Sequence, residues 1–532
     1  MTARVVALLA VAARAAAFSP FTVARSFSEH AVLQAAPARA RVWGWTTPGG
    51  IVSAFLNCSA VNVTTTFNAT ADGEGLWVAA FPPVPASNHA CVVSFTDAAS
   101  TAAVWYLDIL FGTVLLCLGQ SNQDLPLSYI INGTTSERDA ANNYPTVRLL
   151  QVPLQAYSSG SASTPLREFA ALAPWARADN YTSASFSAEC FLVARGLVDA
   201  ARRADPAVDG VPVGAIQSDW PGDPILSLSS AAAVAQCGGP PARGAAGVAY
   251  PGPIPGPHFP SSQYNAMVAP LTVGPLAVSH FIYHQGEADV HSNATTSIYE
   301  CRLRALIADF RATLGAWPGA FFGVSMLAPY AGDCGTACVA GVPAIRAAQL
   351  RVGLSTPNAS VAVATDTGDP LAPAGSVHSR RKQALSARLV AAAAAVQWGA
   401  ASREGPVYGP LYARAADASA AARTLAADVV FADGSCPFGL QLVFGVNYTS
   451  TCPVGLSPTA PTVDECAWFA LRGAASGWVN STLVEIINTT AVRLSVPGVT
   501  DVAVGTAFGQ ASYPVTVLFS GPLPVAPWSA DI

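Results

Sequence analysis

Charge is scarce in this 532-residue chain: Asp, Glu, Lys and Arg together make up 11% of it, and the net charge is −5. Without a basic stripe or tail, nucleic acid is not expected as a partner. Long apolar runs are missing too. The mean hydropathy of +0.38 reflects abundant alanine, and no interior stretch reaches the roughly 18 uncharged apolar residues of a membrane span. The best candidate, Ala384 to Trp398, is short and carries Arg388. A soluble protein with no integral membrane span is expected. The eleven cysteines show no paired CxxC and no Cys/His spacing suited to zinc, so no metal is implied. Histidine is rare, with only seven in the chain.

What is present points outside the cytosol. Arg4, the apolar run Val5 to Ala13 and the small residues Ala15-Ala16-Ala17 make residues 1–17 a secretory signal peptide by pattern, although Arg14 near the cut is unusual. Ten Asn-x-Ser/Thr sequons follow, at Asn57, Asn62, Asn68, Asn132, Asn180, Asn293, Asn358, Asn447, Asn480 and Asn488. A secreted or lumenal location is expected, with the cysteines in disulfides apart from one free thiol. Cys334 and Cys338 are close enough to staple a local loop. Cys117, inside an apolar strand, is the expected free thiol.

The length calls for several domains. Residues 18–105 carry short strand-like runs (Arg41–Trp45, Ile51–Phe55, Leu76–Phe81, Cys91–Phe95) separated by turns such as Pro48-Gly49-Gly50, the pattern of a small β-sandwich. From 106 to 400 strands alternate with helices. Thr113–Leu118, Val211–Ile216, Val278–Tyr283, Ala320–Met326 and Val361–Thr365 read as strands, and Ser187–Arg203, Tyr299–Leu314 and Ser379–Gln397 as helices. The Gly/Pro-rich stretch 235–260 reads as a loop. Strands return over 405–532 with no helix among them. The fold class expected is α/β: a central parallel sheet covered by helices, flanked by N-terminal and C-terminal β-sandwich-like domains.

The chemistry gathers at the ends of the central strands. Gly119-Gln120-Ser121-Asn122 follows the first, Trp220-Pro221-Gly222-Asp223-Pro224 the second, and His284-Gln285-Gly286-Glu287-Ala288-Asp289 the third. Beyond the last strand, Asp366 and Asp369 lead to Gly375-Ser376-Val377-His378. Ligands of such sheets bind outside the carboxyl ends of the strands. Ser121 is placed there as a nucleophile, which needs a base, and His378 is the histidine in position to serve. The backbone amides of Ser121 and Gly222 and the Gln285 side chain are donors of the kind an oxyanion requires. Glu287 and Asp289 are candidates to orient a helix N-terminus or to bind substrate hydroxyls.

These blocks, in this order, resemble the sialate O-acetylesterase and carbohydrate acetylesterase family of the SGNH-hydrolase superfamily. The matching runs are Phe27–Gln34, Leu116–Asn122, Val211–Gly214 with Trp220, Gly222, Pro224 and Ile225, then Tyr264–Met267 with Ala269–Leu271, Gln285–Glu287, Ile307–Arg311, and Gly375–His378 with Lys382-Gln383. The resemblance implies a serine esterase acting on O-acetylated carbohydrate, sialic acids foremost, without cofactor or metal. It implies Ser121 as nucleophile, His378 as base, and Gly222 and Gln285 as oxyanion donors. It implies no oligomeric state. The departures are Gln123, Pro221, Ala288, Asp289, Ser379 and Gly375, the last standing where many relatives have the Asp that holds the imidazole. A backbone carbonyl there, or Asp366 or Asp369 folding back, are the candidates to replace it. Two alternatives compete: an esterase for other acetylated polysaccharides, and a glycan-binding glycoprotein whose site has decayed.

Overall fold

The computed structural model describes residues 21–154, 164–206, 210–238, 259–330, 336–398, 409, 411–442, 466–467, 469–481, 483–510, 513–514 and 518–532. The signal-peptide segment, Cys334 and most of the 235–260 stretch lie outside the described residues.

Six parallel strands carry the central layer: β1 (Ala103–Gly119), β2 (Val147–Gln151), β3 (Val213–Asp219), β4 (His280–His284), β5 (Phe321–Ser325) and β6 (Ala359–Ala362). Their order is β2-β3-β1-β4-β5-β6, and every pairing among them is parallel. Helices α1 (Ser121–Asp124), α2 (Ala188–Ala204), α3 (Asn293–Thr313), α4 (Thr336–Ser355) and α5 (Lys382–Trp398) alternate with them. From β1 the chain goes to β2, the edge strand of these six, returns to β3 beside β1 and crosses to β4 on its other side, so the winding changes sides at β1, and its carboxyl end opens a crevice. Ser121 is the first residue past that end but one.

Strand β1 does two jobs. Its first six residues alternate between exposed and half-buried, whereas Ile109 to Gly119 are buried at every position. The first half pairs antiparallel with Ser87–Asp97, and the second runs parallel between β3 and β4. The boundary expected at 105/106 thus falls inside one strand. A buried aromatic cluster packs the N-terminal region, with Trp77 5.1 Å from Phe95 and Phe27 edge-on to Tyr106 at 4.7 Å. It is continuous with the core of the α/β layer. The C-terminal strands enclose a separate core around Phe431, Phe469, Phe508 and Trp528, and the helix Ser419–Ala422 interrupts them for a single turn.

Local sequence accounts for these elements. In α2 the Ser187 side chain accepts from Cys190 N, Glu189 sits in the first turn, and Arg202 and Arg203 occupy the last, as capping and the helix dipole favour. Strand β2 was not expected because Arg148 breaks its apolar run. The structure buries that arginine against Asp108, with Nη1 2.7 Å from Oδ2. Nor was α4 expected, since Pro343 lies within it.

The free-thiol expectation is corrected. Cys117 is bonded to Cys190, as Cys58 is to Cys91 and Cys237 to Cys301. The cause is simple: α2 packs on the face of β1 to which Cys117 points. Among the described residues the free cysteine is Cys436, which is buried. The Cys117–Cys190 bridge spans 73 residues, so chain entropy alone makes it worth about 4 kcal/mol. Alkylation of the denatured, unreduced protein should therefore label Cys436 and leave Cys117 unlabelled. A labelled Cys117 would contradict the pairing.

Candidate active site

The site is built on the turn that ends β1. Gly119 has φ +152, and a Cβ added there would lie 2.1 Å from the His284 carbonyl oxygen of β4, so no other residue fits. Two hydrogen bonds then join the three central strand exits: Gln120 N donates to His284 O (3.1 Å) and Trp220 N to Gly119 O (3.1 Å). Ser121, half-buried, opens α1 at this junction. Gly222 has φ +80 and lies in the turn after Trp220. Neither its amide nor that of Ser121 has an acceptor among the described residues.

Asn122 joins the helix that Ser121 opens to the loop that carries His378. Its Nδ2 donates to Val377 O at 2.9 Å and to the Glu287 carboxylate, while Lys382 Nζ donates to its Oδ1 at 2.8 Å. The immediate neighbours of Ser121 and His378 are therefore in direct contact. His378 Nδ1 lies 2.8 Å from Ala374 O. A carbonyl can only accept, so Nδ1 carries the proton and Nε2 keeps its lone pair, the tautomer a general base needs. No hydrogen bond joins Ser121 Oγ to His378 among the described residues. Such bonds often tighten only when substrate is present.

Several expectations are corrected. Asp366 is held bidentately by Arg388 (2.8 and 2.7 Å). Asp369 is held by Arg380, whose Nε is 2.6 Å from Oδ2. Each carboxylate neutralises a guanidinium, and neither reaches the imidazole. The carbonyl that does belongs to Ala374, one residue before Gly375. Glu287 is 6% exposed; its Oε1 accepts from Asn122, and its Oε2 has no partner among the described residues. Gln285 is fully buried. Its Nε2 has Gln120 Oε1 at 3.2 Å, Asp223 O at 3.1 Å and Asp289 Oδ2 at 2.7 Å, and its Oε1 accepts from Tyr283 and Tyr299. With both amide hydrogens used inside the protein, Gln285 braces the site and has no donor left for the crevice. The backbone amides of Ser121 and Gly222 are the donors that remain.

Asp289 does orient a helix start: its Oδ2 accepts from Ile225 N at 2.9 Å, which fixes the Gly222 turn. Sequence reading missed the buried Glu189–His284 pair (2.7 Å) and the adjacent carboxyls Asp124 and Asp219. The polar end of an otherwise apolar β3, Gln217-Ser218-Asp219, was the available signal.

No family model matches the chain. In sequence it is 29% identical over 395 residues to the sialate O-acetylesterase of Pongo abelii, and 29% identical over 396 residues to that of Homo sapiens. Each match covers 71% of this chain and 71% of the relative. The chain is thus similar in sequence to sialate O-acetylesterases. In fold it is similar to a carbohydrate acetylesterase from Xanthomonas citri, with a TM-score of 0.74 and 21% identity over 96% of this chain and 99% of that one. The resemblance read from the motif blocks is thus matched by sialate O-acetylesterase relatives in sequence, and the α/β architecture by a solved structure.

Burial pushes the Asp289 carboxyl up to about 6, against the opposing effect of its bonds from Ile225 and Gln285. Its unfolded value is about 3.9. The folded protein therefore binds this proton more tightly, and stability falls as pH rises from about 4 through about 6. Two units correspond to roughly 3 kcal/mol. In Asp289→Asn this part of the pH dependence should vanish, as measured by denaturation midpoints at pH 4 and pH 7. An unchanged difference between the two pH values would contradict it.

Proposed function

We propose that the chain is a serine esterase that removes O-acetyl groups from carbohydrates through an acetyl-enzyme on Ser121, with O-acetylated sialic acid as the substrate. The observation that carries this reading is the His378 tautomer fixed by Ala374, on a loop tied through Asn122 to the residue after Ser121. In the first step His378 Nε2 takes the Ser121 proton as Oγ attacks the acetyl carbonyl. The developing oxyanion is met by the Ser121 and Gly222 amides. Protonated His378 then gives its proton to the departing sugar oxygen. In the second step water, deprotonated by His378, releases acetate.

Positions that depart from the family pattern have structural places here, which favours a working site over a decayed one. Ala288 contributes its backbone N to Gln120 Oε1 at 3.2 Å, which any residue but proline can do. Asp289 anchors the Gly222 turn. The Ser379 hydroxyl donates to Thr367 O, securing the loop that bears His378. Three disulfides among the described residues fit an oxidising compartment, and no helix among those residues is long and apolar enough to cross a membrane. We infer a secreted or lumenal enzyme with a cleaved signal peptide at 1–17 and a separate unit over 405–532, the latter supported by its distinct core.

Ser121→Ala should lower p-nitrophenyl acetate hydrolysis by at least about 10³-fold with an unchanged circular dichroism spectrum. Wild-type turnover in that variant would remove Ser121 from the mechanism. Among acetylated substrates, acetate release should be fastest from O-acetylated sialosides; preference for an acetylated plant polysaccharide would redirect the substrate assignment.

A further inference from the structure

At the end of β1 away from Ser121, the antiparallel sheet leaves an apolar face uncovered. Trp105 is 59% exposed, and Leu107, two residues on and on the same face, is 63% exposed. Cross-strand pairing sets Trp105 beside Ser94, Ser94 beside Phe55 and Phe55 beside Thr66. Ser94 is too small to keep its neighbours apart. The Phe55 and Trp105 rings lean together over it, with centroids 6.2 Å apart, and leave the serine 3% exposed. The result is an aromatic shelf open to solvent, and an exposed apolar face of this kind marks a site of interaction.

The next row of the same face carries a sequon. Asn57 follows Phe55 by two residues on the strand Ile51–Cys58, so both side chains project from one side of the sheet, about 7 Å apart along the strand. Its cross-strand neighbours are Thr64 and Val92. Thr64 Oγ1 donates to Asn57 Oδ1 at 3.1 Å, and Asn57 Nδ2 has no acceptor among the described residues. That nitrogen is the atom a glycan takes, and Ser59 completes the triplet Asn57-Cys58-Ser59. Asn68 lies on the same face, across the aromatic row, but its neighbours are polar: Ser53 opposite it, and exposed Thr66 and Thr70 along its own strand. The two sequons flank the shelf. A protein partner seated there would collide with sugar at either asparagine, whereas a sugar chain rooted at Asn57 begins on the shelf itself. Pyranose rings offer C–H faces that pack on aromatic faces, and hydroxyls that reach the exposed Thr64 and Thr66.

We propose that Asn57 is an N-glycosylation site whose core sugars lie over Phe55 and Trp105 and close this face. The inference rests on the secreted or lumenal reading above. In the transfer, Asn57 Nδ2 attacks C1 of the first sugar of a lipid-linked oligosaccharide diphosphate. The N–C1 bond forms, the C1–O bond to the diphosphate breaks with its electron pair leaving on oxygen, and the amide gives up one proton. Transfer precedes folding, while the strand Ile51–Cys58 is unpaired and Cys58 has not joined Cys91. Folding then brings Trp105 of β1 beside Phe55 and supplies the shelf. The glycan shields the apolar face from other chains and stabilises the N-terminal sheet.

Glycopeptide mass spectrometry of protein secreted by a eukaryotic host should find Asn57 modified. Asn57→Gln should lower the thermal midpoint by about 2 °C, the scale of one aromatic contact, and raise the binding of an apolar fluorescent dye. In a Trp105→Thr background the same substitution should shift the midpoint much less, because the contact is already lost. Where Asn57→Gln is not secreted, amidase removal of glycans from the folded protein, with and without Trp105→Thr, gives the same comparison, since the other sites are common to both. The proposal is overturned by an unmodified Asn57 in protein whose other sequons are occupied, or by equal midpoint losses with and without Trp105. It is also overturned by a glycosylated wild type that dimerises and becomes monomeric in Trp105→Thr, which would make a second copy the occupant. Protein with no occupied sequon overturns the secreted reading, and this inference with it.

Discussion

The close approach of Gly119 to the carbonyl of His284 is the constraint on which the site depends. A side chain at residue 119 would overlap that oxygen, so β1 must end in glycine and turn at once. The turn delivers Gln120 N to His284 O and opens α1 with Ser121. Trp220 N then closes on Gly119 O, which brings the Gly222 turn alongside. The Ser121 and Gly222 turns meet because three parallel strands end at one level and backbone bonds lock their exits, and Asn122 ties in the His378 loop. Geometry held this way needs no reorganisation as charge develops.

Around this backbone frame lies a shell of buried polar groups, many of them bonded to one another. Asn122 links Glu287, Lys382 and Val377, and Gln285 links Gln120, Asp223 and Asp289. Glu189 meets His284 and Ser325 at the base. Buried charges of this kind are costly unless paired. Their cluster around the strand exits concentrates buried charge beside the Ser121 turn.

Much of this was legible in the sequence. Thr113–Leu118 read as a doubly buried strand because its apolar run is unbroken, and every strand exit named for chemistry falls at the crevice. Reading the strand ends placed Ser121, Gly222 and His378 on that edge, and their loops meet there. Three kinds of information were not legible. Tertiary ion pairs hid β2, since Arg148 is tolerable only beside Asp108. Strand register decided that Cys117 faces Cys190. The fate of a polar side chain depends on partners far away in sequence, so Gln285 reads as a donor and turns out to be a brace. Asp366 and Asp369 read as partners of His378 and are claimed by Arg388 and Arg380. The carbonyl that orients the imidazole left no trace, because every residue has one.

The central claim is that Ser121 is the nucleophile, and the most direct measurement is peptide mapping after reaction of the folded protein with a fluorophosphonate. The account predicts one adduct, on the tryptic peptide bearing Ser121, appearing at the rate at which acetyl-ester hydrolysis is lost. An adduct on a different serine, or hydrolysis that persists with Ser121 fully modified, would contradict it.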